Sequence, residues 1–153
     1  MRPATVFDVF DMSRVLTRSI TQLCRADHHD DPQAIAKWTA NKTPASIREW
    51  ITSGSQLWVA EEAGQVAAVG GLREAEITLL YIDPEFVGQG IGAALLHRLE
   101  QELAFAGHLE ARLEATRTAQ EFYRRHGWQP TGLCGARGDV SCFGMHKSLH
   151  PKD

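Results

Sequence analysis

Gly88, Gly90 and Gly92 stand two apart in the stretch "LYIDPEFVGQGIGAALLHRLE", residues 80–100. Glycine disfavours both helices and strands, so this spacing between an apolar run and an amphipathic one needs a physical reason. A strand that ends in a glycine-rich turn and opens a helix makes an anion cradle. The first N–H groups of the helix lack intrahelical acceptors, the helix dipole puts partial positive charge beside them, and glycine lets a phosphate approach without meeting Cβ. Two nucleotide motifs do not fit. No Lys-Ser/Thr pair follows, as the P-loop requires, and Gly88-x-Gly90 does not continue into a complete dinucleotide fingerprint.

A second group with chemical potential is "LCRADHHDDP", residues 23–32, with a thiol at Cys24, adjacent histidines at His28 and His29, and carboxylates at Asp27, Asp30 and Asp31. The spacing reproduces neither a C-x-x-C nor an H-x-x-x-H frame, and adjacent histidines seldom point at one ion. No metal is expected. The simpler expectation is a polar loop between helices, with Asp30 or Asp31 capping the next one and Cys24 completing an apolar helix face.

The elements that must position these groups follow from periodicity. "MRPA" is a short strand. Thr5 followed by Asp8 has the form of a capping box, and Met12, Leu16, Ile20 and Leu23/Cys24 recur at helical spacing, so a helix is expected over 8–24. "PQAIAKWTANK" reads as a second helix. "TPASIREWI" reads as a third, with Thr43 as N-cap, Pro44 in the first position, and Ile47, Trp50 and Ile51 on the buried face. The period then changes. "QLWVAEE" and "QVAAVGGLR", joined by "AG", form a hairpin. "EITLLYID" lacks a polar face and is expected to be a strand buried on both sides. After the glycines, Ile91, Leu95, Leu99 and Leu103 mark a helix closed by Gly107. "LEARLEA" alternates as a strand, "TAQEFYRRHG" is a short helix stopped by Gly127, and "WQPTGLCG" with "VSCFGMHKSL" forms a closing antiparallel pair. The sum is one mixed α/β domain over 1–153, with a mostly antiparallel sheet flanked by helices.

Composition narrows the class. With 153 residues, 43% hydrophobic and 23% charged, the chain suits one soluble core. Its net charge of −3, with both signs interspersed, offers no basic stripe for nucleic acid. No apolar run is long enough to span a membrane, and the first residues lack a secretory pattern. Three cysteines, Cys24, Cys134 and Cys142, are read as reduced thiols. A cytoplasmic protein is expected, with a homodimer through the last strand as an open possibility.

"LLYIDPEFVGQGIGAALL" resembles motif A of the GNAT superfamily of acyl-CoA-dependent N-acetyltransferases. In that family an aliphatic-x-Pro strand end precedes a Q/R-x-x-G-x-G/A loop that wraps the pyrophosphate of coenzyme A. Ile82-Asp83-Pro84 supplies the strand end here and Val87-Gly88-Gln89-Gly90-Ile91-Gly92 the loop, with Val87 standing in the usual Gln/Arg position. "EATRTAQEFYRRHGWQPTG" resembles the family's later N-x-x-A-x-x-x-Y-x-x-x-G-F segment. Ala119, Tyr123, Gly127 and Trp128 fall at matching spacing, and Thr116 stands where Asn is common. The resemblance runs from about Leu57 to Leu149, with "MRPAT" similar to the family's start.

The resemblance implies a central sheet with splayed strands and direct transfer of an acetyl group from acetyl-CoA to a primary amine of a small molecule or peptide. It implies acyl-CoA contacts at Leu80, Tyr81 and Ile82, at Val87, Gly88, Gln89, Gly90, Ile91 and Gly92, and at Thr116 and Ala119. The amine must lose a proton, since an ammonium with a pKa of about 10.4 is not nucleophilic. Glu76, at the start of the cleft strand, is the first candidate base, with Glu74 and His28 behind it. The oxyanion needs N–H donors, expected at the end of "EITLLYI". The leaving thiolate needs a proton, which the phenol of Tyr123 can give. The segment between the first helices borders the acceptor in this family, so Cys24, Asp27, His28 and Trp38 are expected to touch the substrate. The competing expectation is a non-catalytic module that holds acyl-CoA without transferring its acyl group.

Overall fold

Thr5 and Asp8 begin the fold as a reciprocal cap. Thr5 Oγ1 accepts from the Phe7 amide at 3.3 Å, and the Asp8 carboxylate accepts from the Thr5 amide at 2.8 Å. The cap opens a single 3-10 turn, Val6–Asp8, and the first α-helix follows at Val9. Asp8 also takes both prongs of the Arg2 guanidinium, each at 2.9 Å, which ties the first strand to the first helix.

A computed structural model describes residues 1–131 and 143–149. In chain order its elements are β1 (Arg2–Pro3), α1 (Val9–Leu23), α2 (Arg25–His28), α3 (Pro32–Thr39), α4 (Pro44–Thr52), β2 (Gln56–Glu62), β3 (Gln65–Arg73), β4 (Glu76–Ile82), α5 (Ile91–Phe105), β5 (Glu110–Ala115), α6 (Gln120–Arg125), β6 (Gln129–Pro130) and β7 (Phe143–Ser148). Asp31 caps α3 through the Gln33 amide, and Thr43 caps α4 with Pro44 in its first turn. The helix expected over "PQAIAKWTANK" ends at Thr39. The α2 turn falls where a polar loop was expected. The closing pair β6 and β7 is antiparallel, while the parts of those two segments over 132–142, with Cys134 and Cys142, lie outside the described residues.

Among the described residues seven strands form one sheet, in the order β1-β2-β3-β4-β5-β7-β6. Every neighbouring pair is antiparallel except β4 and β5, which are parallel and share a single register pair, Glu76 with Arg112. The β2–β3 hairpin turns on Ala63 and Gly64, both with positive φ, a turn that matches the twist of its strands.

Two apolar layers clamp this sheet. Val9, Met12, Val15 and Leu16 of α1, with Ile47 of α4, pack on Leu57, Val59, Val66 and Val69. On the opposite face Leu95, Leu96, Leu99 and Leu103 of α5 pack on Trp58, Ala68, Leu72, Leu113 and Met145. Each fully buried leucine is worth about 1.5–3 kcal/mol, so α5 is held rigidly and its N-terminus is fixed against the sheet. A buried polar knot adds direction. Glu100 accepts from Trp128 Nε1 at 3.0 Å and from Lys147 Nζ at 2.8 Å, and Lys147 also donates to the His126 carbonyl. It joins α5, the turn after α6 and β7.

The strand expected to be buried on both sides is not. Only Ile77 of β4 is buried, and the remainder is half-buried. The cause is a bulge. Leu79 pairs with Gly71 and Ile77 with Leu72, which leaves Thr78 as the extra residue. Gly71 makes room for it, because a Cβ there would stand 2.7 Å from Thr78 Oγ1 and 3.0 Å from Leu57 Cδ2. Past the bulge β4 leaves β5, and a cleft opens between them.

Candidate active site

The cleft measures about 440 Å³, a volume suited to small ligands. Its walls include Ile77–Ile82 from β4, Leu113–Ala115 from β5, Thr116 just beyond it, and Tyr123 from α6. Strand parity decides which main-chain groups face it. The Asp83 amide donates to the Ala67 carbonyl at 2.8 Å. With the register Tyr81–Val69 and Leu79–Gly71, alternate residues of β4 turn their N–H and C=O groups toward β3. Leu80 and Ile82 therefore turn theirs the other way, toward the gap left by β5. Their side chains pack with the α5 layer, while those of Leu79 and Tyr81 pack with the α1 layer.

The strand-to-helix corner is built by Asp83. Its Oδ1 accepts from the Glu85 amide at 2.9 Å and caps the 3-10 turn Pro84–Phe86. Arg18 Nε lies 3.2 Å from Asp83 Oδ2, near enough to pair but out of line for a hydrogen bond. Gly88 and Gly90 follow with φ of 84° and 80°. A Cβ at either would meet nothing within 4 Å, so the need for glycine there comes from backbone conformation and from keeping the space beside it clear. Gly90 is the N-cap of α5 and has no side chain to satisfy the first turn. The first intrahelical bond is from Ala94 N to Gly90 O, which leaves the amides of Ile91, Gly92 and Ala93 without helical acceptors. Gly92 serves close packing instead: its Cβ would sit 3.1 Å from Ile82 Cδ1. Bare amides, a helix N-terminus and a surface free of Cβ fit a diphosphate. Val87 is 52% exposed beside this corner and brings no donor to it.

Tyr123 closes the other wall. It is 6% exposed and packs edge-on against Phe122 and Trp128. Burial pushes its phenol well above the ordinary tyrosine range, and the nearby phenol of Tyr81 adds to the shift. Tyr123 is thus a held proton, neutral at any physiological pH. Thr116 accepts from the Ala119 amide at 3.2 Å, so this hydroxyl caps the approach to α6. Thr116 and Ala119 both line the cleft.

The other residues singled out by sequence separate into two groups. Cys24 and Trp38 line the cleft. Burial pushes the Cys24 thiol up to about 12, with the Asp27 charge adding to it, so it is an apolar wall and not a thiolate. Asp27, His28, Glu74 and Glu76 are outside the lining. Asp27 is engaged by the amides of Arg117 and Thr118. His28 is buried with both ring nitrogens occupied, Nδ1 by the Asp30 amide and Nε2 by the Ile20 carbonyl at 2.7 Å. Glu74 forms the β3–β4 turn with positive φ. Glu76 sits at the closed end, where β4 and β5 still pair. The carboxylate that does line the cleft is Glu114 of β5, joined by Asn41, Lys42 and Trp50. Alternation in "LEARLEA" put Glu114 on the polar face of a strand, and nothing local distinguished it from Glu110. Among the described residues no group of three or more His, Cys, Asp or Glu is placed to hold a metal ion, and no helix there is long and apolar enough to cross a membrane.

Known proteins share this fold. Residues 26–149 match the acetyltransferase (GNAT) domain family. The chain is 30% identical over 122 residues to the uncharacterized N-acetyltransferase YafP of Escherichia coli (strain K12), covering 80% of this chain and 75% of that one. Its fold superposes on a GCN5-related N-acetyltransferase from Rhodopseudomonas palustris with a TM-score of 0.83 and 25% identity, covering 97% and 94% of the two chains. It also superposes on the PaiA N-acetyltransferase of Thermoplasma acidophilum, solved in complex with coenzyme A, with a TM-score of 0.81, 20% identity and 97% of each chain covered. The chain belongs to the GNAT family of acyl-CoA-dependent N-acetyltransferases.

Proposed function

We propose that this protein transfers the acetyl group of acetyl-CoA directly to a primary amine of a small molecule or peptide. The observation that carries this reading is the juxtaposition at one cleft of three features: the bare amides of Ile91, Gly92 and Ala93, the outward main-chain groups of Leu80 and Ile82, and the phenol of Tyr123. The glycine corner would hold the diphosphate of the co-substrate, and the thioester would lie along the open edge of β4.

The step balances as follows. Glu114 takes the proton that frees the amine lone pair, directly or through water. The nitrogen attacks the thioester carbonyl carbon. The C–N bond forms, the nitrogen sheds its second proton to solvent water, and the C–S bond breaks to leave the amide and the thiolate of coenzyme A. An outward N–H of β4 stabilises the developing oxyanion. Tyr123 gives its proton to the departing thiolate and recovers one from solvent. Glu114 takes the base role first assigned to Glu76, because it lies on the cleft wall and Glu76 does not.

Calorimetric titration with coenzyme A and acetyl-CoA, followed by a thiol-release assay against a panel of amines, tests the proposal. Micromolar binding and amine-dependent release are expected. Binding without release on every amine would indicate a holding module. Absence of binding at millimolar coenzyme A would end the reading altogether.

A further inference from the structure

Trp128 is not a cleft residue, yet Tyr123, which is one, rests against it. The two rings meet edge-on, with 6.0 Å between centres and 64° between planes. Trp128 is 2% exposed, and the one polar atom of its side chain, the indole N–H, donates to Glu100 Oε2 at 3.0 Å. Glu100 is itself buried, and its other oxygen accepts from Lys147 Nζ at 2.8 Å, so the carboxylate is matched at both oxygens. Lys147 passes over Gly127, its Cε 3.4 Å from where a Cβ would stand, and donates to the His126 carbonyl at 2.8 Å. The main chain closes the same circuit. The Tyr123 carbonyl accepts from the His126 amide at 3.0 Å and from the Trp128 amide at 3.1 Å. Tyr123 is thus held at its ring by Trp128 and at its carbonyl by the turn that Lys147 fastens.

We propose that Trp128 is a positioning residue for the acid Tyr123, and that Glu100 ties both of them to α5. The inference rests on the acetyl-transfer reading above and gives a part in it to residues outside the cleft. Glu100 stands on the same helix whose first turn makes the anion corner. From Gly90 to Glu100 that helix rises by about 15 Å as one rigid rod. One element therefore sets both ends of the reaction: where the diphosphate of the co-substrate binds, and where the phenol waits for the departing sulfur. The demand on that distance is strict. Proton transfer needs the phenol oxygen within about 3 Å of its partner, and a misplacement of about 1 Å costs about a hundredfold in rate. Edge-on packing alone would let the Trp128 ring turn in its own plane and carry Tyr123 with it. A hydrogen bond to an ionised acceptor fixes that rotation, and a buried network satisfied at every member is stiff.

The test is a pair of double-mutant cycles on the thiol-release assay, run with the panel amine that the wild type acetylates fastest. Trp128→Phe keeps an aromatic edge and removes the N–H. Glu100→Gln keeps the shape and turns an NH2 against one of its two donors. Trp128→Phe should lower kcat by about ten- to thirtyfold, with the KM for acetyl-CoA and the calorimetric affinity for coenzyme A within about twofold of wild type. Glu100→Gln should lower kcat by about three- to tenfold with the same split. Added to Tyr123→Phe, either change should alter kcat by less than about twofold, since a positioning residue has nothing left to position once its acid is gone. A merely structural role would cost the same in both backgrounds. Val59→Ala, in the α1 layer and outside the cleft lining, lowers the melting temperature without touching the knot and should keep the wild-type kcat. Should Trp128→Phe fail to fold, Glu100→Gln carries the cycle by itself. Wild-type kcat in both knot variants beside an impaired Tyr123→Phe, or an undiminished loss in the Tyr123→Phe background, would overturn the positioning role. An unimpaired Tyr123→Phe, or acetylation of no amine at all, would instead overturn the reading on which it rests.

Discussion

Asp27 and Thr118, 91 positions apart, meet across the rim of the cleft. Asp27 Oδ1 accepts from the Arg117 amide at 2.7 Å, and Oδ2 accepts from the Thr118 amide at 3.0 Å and from the Thr118 hydroxyl. Asp27 belongs to α2, on the helical side of the splay. Thr118 belongs to the loop between β5 and α6, on the far side. The carboxylate is therefore a strap that joins the two walls where the sheet itself has come apart.

Replacing Asp27 with alanine should loosen that strap. Two main-chain amides and a hydroxyl lose an ionised acceptor at an exposed site, for a net loss of about 1–2 kcal/mol. Thermal denaturation should show a melting temperature lower by about 3–6 °C. The acceptor KM should rise several-fold, while coenzyme A affinity stays near wild type, because the glycine corner is built by other residues. Equal losses in both would mean that the strap supports the whole cleft and not only its acceptor side.

Tyr123→Phe isolates the proton. The ring packing against Phe122 and Trp128 is preserved, so the fold and acetyl-CoA affinity should hold, while kcat falls by about 10²–10⁴ if the phenol is the general acid. Burial has raised the Tyr123 pKa. The acid thus stays protonated through the alkaline range, and the wild-type rate should show no descending limb from tyrosine ionisation below about pH 10. The stability consequence has a definite sign. A phenol with a raised folded pKa favours the native state fully below its unfolded value, about 10, and that contribution is lost as pH rises through the folded one. Tyr123→Phe should flatten this alkaline loss in a pH series of melting curves.

Gly90→Ala tests the anion corner, and Gly54→Ala provides its control. Both glycines have positive φ, 80° and 99°, and at both an added Cβ would meet nothing within 4 Å. The backbone strain is about 1 kcal/mol in each. Only Gly90 stands at the N-terminus of α5. Both variants should melt a few degrees early, but only Gly90→Ala should weaken coenzyme A binding, by about tenfold in calorimetry. An equal loss of affinity in Gly54→Ala would mean that general destabilisation, not the corner, sets affinity.

The local chemistry of the chain made much of this fold readable, and non-local contacts hid the remainder. The hairpin of "QLWVAEE" and "QVAAVGGLR" was legible because two short apolar runs and the Ala-Gly turn between them agree. The cap at Thr43 and the helix from Ile91 were legible for the same kind of reason. α2 was not. Its four residues are held by His28 reaching back to Ile20 and by Asp27 reaching to Arg117 and Thr118, the latter contacts being ones that no window of sequence contains. The bulge at Thr78 left a faint trace in the paired glycines Gly70 and Gly71, but its effect, the parting of β4 from β5, depends on the register of both strands. That parting decides which glutamate meets the cleft, which is why Glu76 was the natural sequence choice and Glu114 the residue found there.

Acid stability should depend on the first eight residues. The Arg2 guanidinium beside Asp8 holds its carboxyl below the ordinary aspartate range, with the Thr5 amide contributing, against the opposing effect of burial. A carboxyl with a lowered folded pKa stabilises the native state fully above its unfolded value, near 3.9, and that stabilisation is lost as pH falls through the folded value. Asp8→Asn removes the charge and weakens both the cap and the pairing with Arg2, so melting at pH 7 should come earlier by about 1–2 kcal/mol of stability. The difference between wild type and variant should begin to shrink as pH drops below about 4, where the carboxyl of the unfolded chain takes up a proton, and close as pH falls through the lower folded value. A difference that stays constant down to pH 2 would show that side-chain shape, not the ionised pair, accounts for the contribution of Asp8.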